Sequence, residues 1–197
     1  MVFMENADQI LNFWFGNPTD PQGPYGQQRS VWFKKDAAFD DRIRQRFLPD
    51  YGRAAAGDYT PWRSQPRSCL ALILLLDQVP RNLFRGDARS YATDAEALAV
   101  AEAAIAQGHD QALIPVERLF MYLPLEHSED LARQQRCVQL FETLVKEAPE
   151  LASTLDYAYR HRDVIAWFGR FPHRNHILGR TTTPEEAAFL QQPGSRF

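Results

Sequence analysis

The chain has 197 residues, 45% of them hydrophobic and 24% charged, which suits one folded domain with a sizeable core and excludes disorder as the default. A net charge of −3 and a pI near 6.0 give no global basic field, so neither nucleic acid nor an anionic membrane surface is expected as a partner. The two cysteines, Cys69 and Cys137, lie singly inside apolar helical patterns and read as small core residues, not as a redox pair or a metal knuckle.

Residues 1–15 carry Glu5 and Asp8 but no Lys or Arg, unlike a secretory signal, so the cytoplasm is the expected location. Asn6 is placed to cap a first helix whose apolar residues Ile10, Leu11, Phe13 and Trp14 lead to a stop at Gly16. A Pro/Gly-rich loop follows. Phe39, Ile43 and Phe47 then recur every fourth residue, marking the buried stripe of a second helix that Pro49 is expected to interrupt or kink.

Residues 70–76 (Leu-Ala-Leu-Ile-Leu-Leu-Leu) are apolar on every side. The run is far short of the roughly 20 residues that cross a bilayer, and its leucine-rich composition favours a central buried helix over a strand. Thr93 and Glu96 form the pattern of a capping box ahead of an Ala-rich helix over 95–107, with Gly108 as its stop. Pro115 suits the first turn of the next helix and Pro124 its end. Ser128, followed by Glu129 and Asp130, is placed to cap a helix running to Val145. A further helix spans about 150–168, ending at Gly169, and Thr183-Pro184-Glu185-Glu186 opens a short last one. No alternating strand pattern of useful length occurs. The expected architecture is therefore all-α, a single domain over 1–197 built of stacked antiparallel helical hairpins.

Three short polar strings fit neither core, surface nor ordinary turn. In the first, over 77–85, Asp77 follows the buried run, and Arg81 and Arg85 are candidate partners for its carboxylate. One reading is a buried ion pair that staples the helix to the next turn. In the second, over 123–130, His127 precedes the expected cap and is a candidate general base, beside Glu129. The third, over 168–176, mixes aromatic anchors with Arg170, His173, Arg174 and Asn175, a composition suited to holding an anion in a rigid turn. Arg170, Arg174 and Arg180 have no acid between them. On the helix before it, His161 shares an apolar stripe with Tyr157, Ile165 and Phe168, and Arg162 is expected on the same face. His173 and His176, three apart, are weak grounds for a metal site, and neither metal nor cofactor is expected.

These strings resemble the signatures of a widespread bacterial family of unknown function: Asp77-Gln78-x-Pro80-Arg81-Asn82-x-Phe84-Arg85, Leu123-Pro124-Leu125-x-His127-Ser128-Glu129-Asp130 and Phe168-Gly169-Arg170-Phe171-Pro172-His173-Arg174-Asn175. The resemblance extends from Trp14-Phe15 to Thr183-Pro184-Glu185-Glu186 and the terminal Phe197. It implies an all-α fold similar to tetratricopeptide-type hairpins and brings no reaction with it.

Two functional readings follow. The first is a pocket for a small anionic ligand, with acids Asp77 and Glu129, base His127 or His161, and an anion clamp of Arg81, Arg170, His173, Arg174 and Asn175. Its chemistry would be hydrolysis or group transfer by general acid–base catalysis. The second is a non-catalytic adaptor that holds a peptide, by its C-terminal carboxylate, in a concave helical face. The three strings are expected to meet in one place, with Asp77 or Glu129 within hydrogen-bonding reach of an arginine or histidine from another string, around a partly open pocket.

Overall fold

The computed structural model of the protein describes residues 2–195, with side chains from Asn6 onward, so the terminal Phe197 lies outside the described residues. It is all-helical, with no strand among them. Helix α1 (Val2–Phe15) begins before Asn6, which therefore lies inside the helix and does not cap it. Its stop is as expected. Gly16 has φ +95°, and a Cβ there would meet Tyr25 N at 2.9 Å, so both the turn and the returning loop require glycine.

Helix α2 (Ala37–Ala55) is capped by Asp36, which accepts from Phe39 N at 3.0 Å, and it buries Phe39, Ile43 and Phe47. It runs through Pro49 without interruption. The bond that Pro49 cannot make falls on the exposed face, at the Gln45 carbonyl, where solvent can serve the oxygen.

The apolar run forms the central element. Helix α3 (Pro66–Ile73) continues through a π-helical turn (Leu74–Gln78) into α4 (Val79–Leu83), and every residue over 70–76 is buried. Asp77 thus lies within a continuous helix, not at a C-terminus. Pro80 gives the turn a physical reason. It has no N–H for the Leu76 carbonyl, and the wider i→i+5 register, seen in Val79 N donating to Leu74 O, relieves the ring. Side chains take over the carbonyls left behind. Leu76 O accepts from Thr93 Oγ1 (2.5 Å), Asp77 O from Arg81 Nη1 (2.5 Å) and Gln78 O from Asn82 Nδ2 (2.9 Å). Thr93 is thereby unavailable to cap α5 (Asp94–Ala106), and Glu96 pairs instead with Arg63.

Helix α6 (Pro115–Glu126) passes through Pro124 and ends two residues later with His127 as its C-cap. The N-cap of α7 (Leu131–Glu147) is Asp130, which accepts from Arg133 N at 2.9 Å. Ser128 and Glu129 are left in the link, because the carboxylate of Asp130 already serves the helix's first free N–H groups. Helix α8 (Ala152–Phe168) stops at Gly169 in the left-handed region. The capping box of α9 (Pro184–Leu190) forms as expected, with Glu186 N donating to Thr183 Oγ1 and Thr183 N to Glu186 Oε2.

Consecutive helices pack side by side in the pairs α5–α6, α6–α7 and α7–α8, while α1 and α2 cover the α3–α4 element. Most apolar residues join one core, in which Trp14, Phe15 and Trp32 surround the ring of Phe120 at centroid distances of 5.7, 5.4 and 4.8 Å. The expectation of one core needs an addition. Val164, Ile165 and Phe171 form a second, smaller cluster with Phe168 and Phe189 at the end of α8. Among the described residues no helix is long and apolar enough to cross a membrane.

Candidate functional site

The π turn aims Asp77 at the C-cap of α6. The Asp77 carboxylate is fully buried and accepts from Gln78 Nε2 at 2.6 Å and from His127 Nδ1 at 2.7 Å, with Arg81 Nη1 at 3.3 Å. Burial pushes this carboxyl up, but Arg81 and His127 outweigh it and hold Asp77 well below the usual carboxylate range. An ionised carboxylate can only accept, so Nδ1 of His127 carries the proton and Nε2 keeps a lone pair. His127 lines the cavity, and no hydrogen bond to its Nε2 occurs among the described residues. Burial, and next Arg81, lower its pKa, against the pull of Asp77. Arg81 already matches the charge of Asp77, so the pair does not trap a proton on the ring.

Arg81 is shared. Its Nη1 and Nη2 also donate to the two oxygens of Asp94, at 2.8 and 3.0 Å. Arg174 Nη1 stands 3.5 Å from the same carboxylate, and its guanidinium lies over the rings of Tyr91 and Phe171 at 4.6 and 4.5 Å. Arg174 is only 7% exposed, and its Nε has no hydrogen-bond partner among the described residues. His161 Nδ1 donates to Tyr157 O at 2.9 Å, and burial lowers the ring's pKa to about 3. Burial and Arg174 lower that of His173 to about 4. Both rings are neutral at pH 7.

Gln78, Arg81, Tyr91, His127, His161, His173 and Arg174 face a cavity of about 850 Å³ between the loop over 28–35, the π turn, the end of α6, helix α8 and the 170s loop, with Asp77 and Asp94 paired behind them. Six cationic side chains line it: Arg29, Lys34, Lys35, Arg81, Arg85 and Arg174. Three carboxylates back them, Asp77, Asp94 and Asp40, the last holding Arg85 at 2.6 Å. The remaining acid at the wall is Glu126, 5% exposed, with Oε1 3.6 Å from His161 Nδ1. Burial, and then the charge of Asp77, push its carboxyl up to about 8, so it is protonated at pH 7. Six cations against three ionised carboxylates leave the cavity positive although the whole chain is negative.

The predicted strings meet, and their residues divide between two clusters. Arg81, His127, His161, His173 and Arg174 line the cavity, with Asp77 behind His127. Glu129, Arg170 and Asn175 do not line it; they staple the 170s loop. Glu129 accepts from Phe171 N (2.7 Å) and from Arg180 Nη1 and Nη2 (2.6 and 3.0 Å). Arg170 clamps Glu186 at 2.6 and 2.9 Å, and Asn175 Nδ2 donates to the same carboxylate at 3.0 Å. These bonds hold the loop that carries His173 and Arg174. Arg85 bonds to Asp40 and not to Asp77, and Arg162 turns outward to Asp163 at 2.6 Å. Among the described residues no three His, Cys, Asp or Glu side chains converge as metal ligands.

Sequence reasoning missed Glu126, Asp94, Tyr91 and the wall formed by Phe33, Lys34 and Lys35. Glu126 sits between Leu125 and His127 in a string already singled out, where its place on the buried side of α6 was the available signal.

A solved structure of a protein of unknown function from Agrobacterium tumefaciens is similar to this chain at 44% identity, with a TM-score of 0.82, covering 95% of this chain and 98% of that one. No curated protein matches. The family described as bacterial protein of unknown function (DUF924) matches residues 10–194, which takes in α1 from Ile10 to the end of α9, the π turn and every residue of the cavity wall. The chain belongs to that family.

Proposed function

We propose that the cavity binds a small anionic ligand and acts on it by hydrolysis or group transfer. The observation that carries this reading is the surplus of cationic side chains around the cavity, six among the described residues against the carboxylates of Asp77, Asp94 and Asp40 that back them. Arg81 and Arg174, which line the cavity, would receive the anion on their guanidinium N–H groups. His127, oriented through Nδ1 by Asp77, presents Nε2 as a general base, the arrangement in which a carboxylate fixes the tautomer of a catalytic imidazole. In a hydrolysis, water gives its proton to His127 Nε2 as its oxygen bonds to the electrophilic carbon or phosphorus. The bond to the leaving group then breaks, and the leaving oxygen takes the proton of Glu126.

The tetratricopeptide-type comparison belongs to the same reading, supported by the side-by-side pairs α5–α6, α6–α7 and α7–α8. The adaptor alternative draws on the exposure of Phe33 (57%) and Tyr157 (51%) at the cavity wall, which could border a peptide whose carboxylate meets the arginines.

Calorimetric titration at low salt with inorganic phosphate and with acetate tests the binding. The wild-type protein should show saturable binding of at least one anion, and Arg174→Met, which keeps the apolar stem, should weaken it by about tenfold or more. Equal binding by both proteins, or none by either, would contradict the reading. His127→Gln separates the alternatives: it abolishes turnover in an enzyme and leaves peptide binding intact in an adaptor.

A further inference from the structure

The cavity is not built for a bare ion. Its volume of about 850 Å³ falls in the range of sites that enclose whole organic ligands, roughly 300–1,000 Å³. Its wall is also two-sided. Arg81 and Arg174 lie on one part, while Phe33, Trp32, Leu119 and Leu123 supply the apolar remainder. Leu119, Leu123 and Trp32 are buried side chains of the main core. Phe33 is different. It lies nearly parallel to Phe120, with 7° between the ring planes and 6.1 Å between centroids, and it has Trp32 at its edge, yet it stays 57% exposed. Core packing therefore leaves much of this ring uncovered beside the cavity, with Lys34 and Lys35 next to it in the chain. An uncovered aromatic ring costs solvation that a flat apolar partner would recover, by area and by stacking.

We infer that the ligand is an amphipathic organic anion, with a carboxylate or phosphate head on Arg81 and Arg174 and a flat aromatic body against Phe33. This rests on the anion-binding reading above and narrows it. Neither end uses the whole site. An inorganic ion makes no use of the apolar surface, and an uncharged ring makes no use of the Arg81 and Arg174 guanidiniums.

The experiment compares two pairs of probes by calorimetry: inorganic phosphate with phenyl phosphate, and acetate with phenylacetate. In at least one pair, adding the ring should tighten binding by about tenfold or more. Phe33→Ala should remove that gain and leave the affinity for the simple anion unchanged. The side chain is largely exposed, so this variant should fold, and an unchanged thermal transition would verify that it does. A gain in one pair only would fix the head chemistry. If simple anions bind but the ring adds nothing in either pair, the amphipathic ligand is overturned while anion binding stands. The same holds if the gain survives in Phe33→Ala. If no anion of the four binds, the anion-binding reading itself falls, and this inference with it.

Discussion

The proposed chemistry rests on three side chains, and two of them were legible as residues. Asp77 stood out as a carboxylate leaving an apolar run, and His127 as a histidine without a structural duty. A bond from Asp77 or Glu129 to a histidine or arginine of another string was expected, and Asp77 and His127 form one at 2.7 Å, though the particular pair was not legible from positions fifty residues apart. Glu126 was not singled out, because an acid at a helix end has an ordinary explanation until the burial of that face is known. Its raised pKa has a measurable consequence. The folded protein holds this proton and the unfolded chain releases it near the ordinary 4.5, so the native state binds more protons between there and about 8. Stability from this group is full below pH 4.5 and lost as pH rises through about 8. Glu126→Gln should therefore gain stability over the wild type between pH 5 and pH 9, by on the order of 3–4 kcal/mol, read from urea melts at the two pH values. An unchanged difference would mean that Glu126 is ionised in the fold. His161 acts in the opposite sense. Its pKa is depressed from 6.5 to about 3, so its contribution is present above pH 6.5 and fades as pH falls through about 3.

The helices themselves were largely readable, since the buried stripe of Phe39, Ile43 and Phe47, the run over 70–76 and the capping box of Thr183 and Glu186 all behave as their spacing demands. The misreadings concern prolines and caps. Pro49 and Pro124 were expected to interrupt or end their helices, yet one meets solvent and the other lies two residues from its helix end, so each costs little more than one backbone bond. Caps failed where a better-placed group competed. Asp130 replaced Ser128, and Thr93 was drawn away to Leu76 O, a carbonyl orphaned by Pro80 across the fold. No local pattern contains that second fact. This bond serves the carbonyl that Pro80 leaves free, so Thr93→Val, which keeps the shape and removes the hydroxyl, should cost about 1–3 kcal/mol in chemical denaturation. A loss below about 0.5 kcal/mol would show that the Leu76 carbonyl is served in another way.

At the scale of the molecule, the three polar strings converge because each carries charges that only the others, or their neighbours, can satisfy. Their convergence followed from that need, but the division of labour did not. Glu129, Arg170 and Asn175 had the same residue types as the cavity wall, and only coordinates reveal that their bonds are spent on Arg180, Glu186 and the Phe171 backbone. Glu129→Gln should accordingly destabilise the fold, by about 1–3 kcal/mol, through the loss of its charge-assisted bonds to Arg180. Arg174→Met should act mainly on anion binding, and thermal melts beside titrations would separate the two. The proposed role makes one cavity on a negative protein a receptor for anions. Anomalous diffraction from crystals soaked in tungstate tests it most directly. The account predicts a strong peak within hydrogen-bonding distance of the Arg81 and Arg174 guanidiniums, close to His127; tungstate bound only at outer lysines and arginines, with this wall of the cavity empty, would contradict it.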